Sequence, residues 1–523
     1  MKPLPRALWE PALALALGAL QTLAFFHTQL WALPLATLAG LVWRLNQASP
    51  ARAALLGWCY GTAWLCAGVW WLFISMHRYG GLPAVLAVGG VLFLAGVLAL
   101  YLAVACAAYA RWRRGRASDA ALFAALWLLA ELGRGGLMLS FPWVASGYAL
   151  VDSPLAGLAP WVGVYGMGAV LAWAAALGAC VLSGRMQREF SAGRGRPGVW
   201  GMAAMLAAVV GVASLSPPSF TQPTGTLSLA LLQSNVSQDE KFAVDRMPQT
   251  LAWVGRELLA AQADLVVTPE TAVPLLPDQL EPFAPGYWAA IQAHFAAPGR
   301  AALVGRPLGD FDRGYTNSVS GLGAHNAAAG AAAAPEYRYD KWHLVPFGEF
   351  VPKGFRWFTE MMNIPLGDFA RGALNPPSFA VKGQRVAPNI CYEDLYGEEL
   401  ARRFVDPDLA PTVMANVSNI GWFGQSIAVD QHLHISRLRT LEFQLPMLRA
   451  TNTGATAVID HRAVVTAALP PHTQGVLKAT VQGRQGVTPY AWWAARAGLW
   501  PLVVLALVVL AACLVLRRPQ AQV

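Results

Sequence analysis

One cysteine in the polar part of the chain has the setting of a catalytic nucleophile. Cys391 is the only cysteine between Leu215 and Arg496, so no disulfide partner exists for it in that segment. It ends a short apolar run and is followed at once by Tyr392 and Glu393. A lone thiol at the end of a predicted strand indicates a nucleophile rather than a disulfide. The remaining cysteines lie in long apolar stretches, where a thiol behaves as a small hydrophobic group: Cys59, Cys66, Cys106, Cys180 and Cys513.

A base and a cation are needed to activate such a thiol. With an ordinary pKa near ~8.5, only a few per cent of it is ionised at neutral pH. Glu270, in segment 266–274, can take the proton as Cys391 attacks a carbonyl carbon. Lys341, in segment 339–352, can then stabilise the oxyanion that forms. Taken singly, either charge could belong to a surface ion pair, but their place in proline-bounded motifs favours the catalytic interpretation.

The segments that carry these residues have the pattern of a domain with buried strands. Short β-branched or apolar runs end in polar residues, and helical stretches such as 249–263 and 431–444 lie between several of them. This pattern predicts an α/β domain, in which sites are built at strand ends. The proline-rich segment 216–225 is predicted to be a linker, and the Gly/Ala-rich segment 321–334 a hairpin tip. The predicted strands are 227–232, 264–268, 301–304, 386–390, 412–416, 447–451 and 455–459.

The composition indicates a membrane protein. Of 523 residues, 56% are hydrophobic and only 13% are charged, against about 25% charged residues in a typical soluble domain. Apolar runs of spanning length predict a polytopic α-helical bundle with about eight spans. A cleaved signal peptide at the first run is the alternative, but no convincing cleavage site follows it and seven more runs do. The predicted spans are 11–26, 30–42, 53–74, 82–108, 120–138, 158–182, 199–215 and 498–516.

The basic excess belongs to the membrane part and predicts its orientation. The net charge is +9, but residues 215–496 carry 22 basic against 24 acidic residues, and the rest carries 16 against 5. This distribution argues against a nucleic-acid partner. With eight spans and an inner N-terminus, 14 of those 16 basic residues fall on one side, and Arg78 and Arg134 are the exceptions. The positive-inside rule then places the large polar segment outside the cytoplasmic membrane.

The chain is therefore predicted to divide into three parts. Residues 1–215 would form a seven-span transmembrane bundle, and residues 216–496 an extramembrane catalytic domain. Residues 497–523 would form a C-terminal transmembrane helix and a cytoplasmic tail. Within the bundle, Glu131 and Arg134 are spaced to face each other on one helix, which predicts a structural ion pair.

Several motifs resemble those of the nitrilase superfamily. The most specific are HLVPFGEFVP at 343–352, ICYE at 390–393 and ATNTG at 450–454. FPW at 141–143 and LLQSN at 231–235 support them. With the predicted spans around these motifs, the chain is similar over nearly its whole length to the apolipoprotein N-acyltransferase family, the membrane-embedded branch of that superfamily.

This resemblance implies a fold, a reaction and a set of site residues. The catalytic domain would be a nitrilase-like α-β-β-α sandwich. The enzyme would transfer a fatty acyl chain from a phospholipid, through a cysteine thioester, to the free α-amino group of the diacylglyceryl-cysteine of an apolipoprotein. It would be a multi-pass monomer of the bacterial inner membrane, with its catalytic domain in the periplasm and no cofactor or metal. By motif position, the triad falls on Glu270, Lys341 and Cys391, and its supporting residues on Glu349, Tyr392 and Glu393.

Two positions depart from the family's pattern. The family often has Lys-Trp where this chain has Lys241 and Phe242, and an acidic residue is common where Ile420 stands. Neither position belongs to the triad, so both bear on the lipid-binding surface. Nearby, Trp422 and Phe423 suit a wall for an acyl chain, and packing in the core is the alternative interpretation.

Other interpretations stay open. A membrane-tethered nitrilase-like amidase would use the same triad on a soluble amide, and a non-catalytic lipoprotein-handling protein would tolerate loss of Cys391. His343 is an alternative partner for the thiol in a Cys–His dyad. His432 and His434 are two residues apart, which on a helix points them to different faces, so we expect no metal pair. Segment 355–364 is expected either to form an amphipathic arm at the membrane surface or to pack in the core.

Overall fold

The computed structural model describes residues 6–116, 118–136, 140–182, 218–323, 337–351 and 369–515, and the single positions 204, 207 and 211. By their contacts, the described residues form two compact units. The first comprises Met1–Trp70, Val85–Pro218 and Ala497–Val523. The second comprises Trp71–Ala84 and Ser219–Arg496.

The first unit consists of helices joined by short turns. Among the described residues, Ala84–Trp112 and Pro154–Cys180 are long and apolar enough to cross a bilayer. Two bent pairs would qualify if each were one span: Pro50–Val69 with Leu72–Tyr79, and Pro489–Ala497 with Trp500–Val515. Predicted span 199–215 lies almost wholly outside the described residues, so the number eight stays a prediction. The longer helices that precede the first strand of the chain are α1 Arg6–Gln21, α2 Ala32–Leu45, α3 Pro50–Val69, α4 Ala84–Trp112, α5 Ser118–Gly136 and α6 Ala159–Leu182.

Aromatic rings and one buried ion pair hold the centre of the helical unit. The indole rings of Trp64 in α3 and Trp127 in α5 stack with their centroids 5.9 Å apart. Glu131 and Arg134 are both buried, and their closest N···O distance is 3.4 Å. Glu131 also accepts hydrogen bonds from the backbone N–H and the hydroxyl of Ser146, at 2.8 and 3.0 Å. The predicted structural ion pair is confirmed, and Oε1 of its carboxylate is the atom that accepts these hydrogen bonds inside an apolar unit.

The second unit is built on two six-stranded mixed sheets. The first sheet has the strand order β12-β1-β2-β3-β4-β5 and the second β11-β10-β9-β8-β7-β6. Three consecutive strands of each sheet are parallel, β1 to β3 and β7 to β9, and the other pairs are antiparallel. The strands are β1 Thr221–Gln233, β2 Leu265–Val267, β3 Ala301–Asp310, β4 Gly314–Gly323, β5 Tyr337–Asp340, β6 Phe379–Val381, β7 Gln384–Ile390, β8 Val413–Ser418, β9 Met447–Thr451, β10 Ala457–Ile459, β11 Val465–Ala468 and β12 Gly475–Gly486.

The two sheets pack face to face, and helices cover their outer faces. In β1, Leu227, Leu229 and Leu231 belong to the core between the sheets, while Ala230 and Leu232 pack against the helices on the other side. This alternation is typical of a strand buried on both faces. The result is the α-β-β-α sandwich that the family resemblance implies. The covering helices are α7 Met247–Ala260, α8 Pro277–Phe283 and α9 Tyr287–Phe295 on the first sheet, and α10 Gly397–Leu400, α11 Ala428–Phe443 and α12 Pro489–Ala497 on the second.

The strand predictions are confirmed, but the linker prediction at 216–225 is wrong in part. From Thr221 onward this segment is strand β1, which pairs with β12. Proline is tolerated at position 223 because the β1–β12 register shifts between Pro223 and Thr226, so the missing N–H falls at an irregularity in the ladder. Of the predicted hairpin tip, residues 321–323 end β4, and the rest lies outside the described residues.

The span predicted at 53–74 is bent: Pro50–Val69 and Leu72–Tyr79 meet at 62° and would form one span only as a pair. Helix α3 ends at Val69, and from Trp71 the chain belongs to the second unit. There Trp71 is only 1% exposed and its ring lies 4.1 Å, centroid to centroid, from that of Phe423. Trp71 therefore packs against protein groups of the second unit. The amphipathic arm predicted at 355–364 lies outside the described residues.

Candidate active site

Cys391 lies at the turn between strand β7 and the short 3-10 helix Cys391–Leu395. Its φ of +53° is in the left-handed region, which a residue with a side chain adopts only when its surroundings hold it there. Two side chains contact its carbonyl oxygen: Asn416 Nδ2 donates to it at 3.1 Å, and His432 Nε2 lies 3.2 Å away. The thiol is therefore at a strand end, as predicted, and on a firmly held turn.

Buried charges fix the orientation of His432. Arg449 Nη2 can only donate, and it lies 3.0 Å from His432 Nδ1, so the ring proton is on Nε2. That nitrogen is also 2.9 Å from Asp394 Oδ1. Burial raises the pKa of Asp394, but His432 and Arg449 outweigh it and hold that pKa below its usual value. An ionised carboxylate and a guanidinium thus support the turn that carries Cys391.

Glu270 lies just beyond strand β2, with both carboxylate oxygens held. Asn317 Nδ2 donates to Oε1 at 2.7 Å, and the backbone N–H of Asn419 donates to Oε2 at 2.8 Å. A glycine is required beside it at 305, because a Cβ there would stand 2.2 Å from the carbonyl oxygen of Pro269. These contacts aim the carboxylate from two directions, which suits a base that must meet a proton at a defined point.

Lys341 follows strand β5 and contacts two carboxylates. Its Nζ lies 2.9 Å from Glu349 Oε1 and 2.8 Å from Glu349 Oε2, but 3.7 Å from Glu270 Oε1. Asn317 Nδ2 bridges the carboxylates, since it also donates to Glu349 at 2.8 Å. The side chain of Lys341 is 1% exposed. Burial lowers its pKa, but Glu349 and Glu270 outweigh burial and raise it above the ordinary value, so Lys341 stays charged.

The electrostatics leave the thiol protonated and the base ionised. Burial raises the pKa of Cys391, and the charge of Glu270 raises it further, while Lys341 opposes both. Burial also raises the pKa of Glu270, but Lys341 and then Lys241 outweigh it and lower that pKa below its usual value. This is the protonation state in which Glu270 can accept a proton from Cys391 as the sulfur attacks.

Glu393 ties together the segments on both sides of the thiol. Its Oε2 accepts hydrogen bonds from the Ile390 N–H at 2.6 Å and the Tyr339 hydroxyl at 2.5 Å. Its Oε1 accepts from the backbone N–H of Trp342 at 2.7 Å and of His343 at 3.2 Å. Burial raises the pKa of Glu393, and these donors offset part of that rise. Its partners are thus main-chain groups that flank Cys391 and Lys341, together with one hydroxyl.

Comparisons with known proteins identify the family of this chain. The model of the apolipoprotein N-acyltransferase N-terminal domain matches residues 17–177, and that of carbon-nitrogen hydrolases matches residues 228–490. The apolipoprotein N-acyltransferase of Verminephrobacter eiseniae is 51% identical over 524 residues, which cover 95% of this chain and 94% of the relative. The chain belongs to the apolipoprotein N-acyltransferase family. Its relative in Ralstonia nicotianae is 44% identical, over 99% of this chain and 95% of that protein.

Among solved structures, the chain is also similar to a carbon-nitrogen hydrolase from Helicobacter pylori G27. The sequence identity is 14% and the TM-score 0.34, and the match covers 53% of this chain and 94% of that protein. The nitrilase-like fold expected for this member of the apolipoprotein N-acyltransferase family rests on the carbon-nitrogen hydrolase match and on the sheets themselves.

The aromatic pair predicted to bind an acyl chain lies on a short 3-10 helix, Ile420–Phe423. Trp422 and Phe423 are both half-buried. The ring of Phe423 packs against Trp71, and that of Trp422 makes an edge contact with Tyr79 at 5.8 Å. Ile420, one of the two positions noted in the sequence analysis as departing from the resemblance, is buried. These contacts give the pair a packing role, and a role in acyl-chain binding stays a prediction.

Tyr392 lies in an aromatic cluster beside the nucleophile. The ring centroids of Tyr392 and Tyr396 are 5.4 Å apart, and His343 stacks on Tyr396 at 3.5 Å. His343 Nδ1 lies 3.0 Å from both oxygens of Glu399. The structure thus gives His343 a partner of its own, which argues against a Cys–His dyad. Within the described parts of the chain, no group of three His, Cys, Asp or Glu side chains could hold a metal ion.

Three polar residues at this site are not evident from the sequence as functional. Asn317 bridges the two carboxylates, and the Asn419 N–H binds Glu270. Lys241 Nζ donates to the backbone carbonyl of Glu270 at 2.8 Å. Asn317 lies in a run of small polar residues in β4 that gives it no distinction. In the sequence, Lys241 is notable only because Phe242 beside it departs from the family pattern, and this gives the lysine no role of its own.

Proposed function

We propose that this protein is an N-acyltransferase that moves a fatty acyl chain from a phospholipid to the free α-amino group of a diacylglyceryl-cysteine on an apolipoprotein. The observation that carries the proposal is the cluster of Glu270, Lys341 and Cys391. Each lies at or just beyond a strand end in a chain of the apolipoprotein N-acyltransferase family. Glu349, Tyr392 and Glu393 support the cluster.

In the first half-reaction, Cys391 becomes acylated. Its sulfur forms a bond to the ester carbonyl carbon of the phospholipid while Glu270 takes the thiol proton. Lys341 stabilises the negative charge that develops on the carbonyl oxygen, since its Nζ is held charged beside the cluster. The carbon–oxygen bond of the ester then breaks. Glu270 returns its proton to the leaving alkoxide, so a lysophospholipid departs and a thioester remains.

In the second half-reaction, the lipoprotein's terminal amine takes the acyl chain. The neutral nitrogen attacks the thioester carbonyl and Glu270 accepts one of its protons. Lys341 again stabilises the oxyanion, the carbon–sulfur bond breaks, and Glu270 passes the proton to the leaving sulfur. The products are an amide and free Cys391. Water has to be excluded between the two halves, because hydrolysis would waste the thioester.

The membrane arrangement belongs to the same proposal. Residues 1–215 form seven spans, 216–496 a periplasmic catalytic domain, and 497–523 a last span with a cytoplasmic tail. Two clear apolar helices and two bent pairs support part of this count, and the distribution of basic residues supports the orientation. The protein acts as a monomer. Substrates whose acyl chains never leave the bilayer suit an active site carried by a membrane bundle.

An assay with defined substrates tests this function. The purified protein would receive a phospholipid with labelled acyl chains and a synthetic diacylated lipopeptide with a free N-terminus. We expect one labelled acyl chain on the lipopeptide nitrogen, and no product from an N-acetylated lipopeptide or from Cys391→Ala protein. Hydrolysis of small amides without lipopeptide acylation would instead identify an amidase. Absence of both activities in folded wild-type protein would contradict any catalytic role.

A further inference from the structure

Lys241 is a second buried lysine beside the proposed base. It lies in the turn region between β1 and α7, and it is 4% exposed. Its Nζ donates to the backbone carbonyl of Glu270 at 2.8 Å. The same segment also contacts the site through Gln238, whose Oε1 accepts a hydrogen bond from Asn419 Nδ2 at 2.8 Å. The segment is therefore attached both to Glu270 and to the residue whose N–H binds its carboxylate.

A buried ammonium group needs a compensating negative charge. Transfer of a lysine cation out of water is unfavourable, and a hydrogen bond to one backbone carbonyl does not offset that cost. The charges of Glu270 and Cys391 both act to keep Lys241 protonated. Burial nevertheless dominates, and the pKa of Lys241 falls to about 8. Lys241 is thus largely charged at neutral pH because it faces the reacting groups.

The charge balance at the site shows what this cation contributes. Lys341 contacts two carboxylates, those of Glu270 and Glu349. With Lys341 alone, one cation would face two anions, and the thiolate and the oxyanion would each form in a field that is already negative. The charge of Lys241 brings these four groups to neutrality. It lowers the pKa of Glu270 for the same reason.

We propose that Lys241 is a positioning residue with an electrostatic function: it anchors the main chain of Glu270 and supplies the second cation that lets negative charge develop on Cys391 and on the bound ester. This rests on the proposed function for its role in turnover. Its effect on the thiol, however, precedes any substrate. Lys241 adds to Lys341, which contacts the carboxylates directly, while Lys241 contacts the backbone of the base.

The test is the rate of alkylation of Cys391 by iodoacetamide as a function of pH, which needs no phospholipid. Lys241→Met removes both the anchor and the charge, Lys241→Gln keeps a donor without charge, and Lys241→Arg keeps the charge. We expect alkylation about tenfold slower in Lys241→Met and Lys241→Gln at neutral pH, and rates that converge with wild type above about pH 8, where Lys241 itself loses its charge. Lys241→Arg should stay near wild type. Lys382→Met is the matched control, because Lys382 is exposed and pairs with Asp264.

Folding is checked by thermal melting of each variant. If Lys241→Met does not fold, the comparison of Lys241→Gln with Lys241→Arg still separates the effect of the charge. A profile for the uncharged variants that overlays the wild-type profile would overturn the proposal. So would recovery by Lys241→Gln but not by Lys241→Arg, because the charge would then be irrelevant. The outcome is separate from that of the acyl-transfer assay. An inactive wild type whose thiol still responds to Lys241 would refute the proposed function and leave this inference standing.

Discussion

At the scale of single residues, the two carboxylates that share Lys341 are not equivalent. Glu349 holds the ammonium group at 2.8 Å, whereas Glu270 is 3.7 Å away. Glu349 is therefore the standing partner of the cation. Both carboxylates also accept hydrogen bonds from the Asn317 amide and from a backbone N–H, that of Asn419 for Glu270 and that of Val345 for Glu349. The distance to Lys341 is therefore what separates them, and it leaves Glu270 the freer of the two to accept a proton. The geometry thus distinguishes a base from a structural counter-ion, although the two residue types are identical.

The roles of Glu270 and Lys341 predict different pH dependences. Glu270→Gln cannot accept a proton, so thioester formation should fall by about 10² or more at neutral pH. Its rate should then rise with pH, up to about tenfold per unit, because only thiol ionised by solvent reacts and the thiolate fraction grows in that way below the thiol pKa. Removing Glu270 also removes a charge that raises that pKa.

Lys341→Met should lose a similar amount of rate, roughly 10² to 10³, but stay nearly flat with pH, because Glu270 still accepts the proton. Single-turnover acylation between about pH 7 and 9.5, around the range where thiols titrate, measures both slopes. Equal slopes would show that the roles are assigned wrongly. Melting temperatures are needed alongside, because Lys341→Met leaves two buried carboxylates without their direct cation.

The sequence identifies residues that react, and the structure adds those that hold them. Cys391 could be predicted because a lone thiol at a strand end is rare, and Glu270 and Lys341 because their motifs are distinctive. Asn317 could not be predicted, since it becomes important only when folding brings two carboxylates, 79 positions apart from 270 to 349, onto its amide. Lys241 is hidden for the same reason: its ammonium group contacts the backbone carbonyl of Glu270, 29 positions away in the sequence.

At the scale of elements, the site is assembled from both sheets. Glu270 follows β2 and Lys341 follows β5, strands of the first sheet. Cys391 follows β7 and Asn419 follows β8, strands of the second. The face-to-face packing of the sheets therefore brings together Glu270 and Cys391, the proposed base and nucleophile. The apolar runs in the sequence predicted the buried strands. They did not predict which strand ends would meet, because the pairing of distant segments leaves no local pattern.

One element that the sequence suggested was part of a span supports this site. Trp71 packs on Phe423, and its Nε1 donates to Gln431 at 3.0 Å. Phe423 lies in the turn that begins after Asn419, whose N–H binds Glu270. The contacts of Trp71 thus hold the segment that aims the base. Trp71 is thus apolar because it is buried against protein, which composition alone cannot distinguish from burial in lipid.

Trp71→Ala should therefore impair catalysis without touching any reacting group. Loss of a buried tryptophan costs about 3 to 5 kcal/mol of stability, and we expect a lower melting temperature with thioester formation at least about tenfold slower. Trp71→Phe keeps a ring and loses one hydrogen bond, worth about 1 kcal/mol, so its effect should be small. Trp70→Ala is the matched control, because Trp70 is 43% exposed. Equal effects of Trp70→Ala and Trp71→Ala would contradict this account.

At the scale of the whole molecule, charge and hydropathy predict compartments that the fold alone does not. The basic residues outside the catalytic segment cluster on one side of the predicted bilayer. This bias is a property of membrane insertion, so it is read from sequence and not from packing. Conversely, the α-β-β-α sandwich could be expected from the family resemblance, while the point where the chain leaves the helical unit at Trp71 required the structure.

Cysteine labelling in intact cells tests the orientation. In a Cys391→Ala background, a membrane-impermeant maleimide should label Phe311→Cys from the periplasm, because this turn residue is 69% exposed. Arg194→Cys should stay protected until the cells are opened. Gly323 is a poorer site, since its φ of +86° strains any side chain. Protection of Phe311→Cys together with labelling of Arg194→Cys would reverse the orientation and the compartment.

The most direct test of the central claim is detection of the acyl group on Cys391 itself. The purified protein is incubated with a phospholipid that carries radiolabelled acyl chains, without any acceptor, and digested for peptide mapping. We predict a hydroxylamine-sensitive label on the peptide that contains Cys391, and its loss to the amide product when a diacylated lipopeptide is added. Turnover of the lipopeptide by Cys391→Ala protein, or a label on any other residue, would contradict the covalent mechanism.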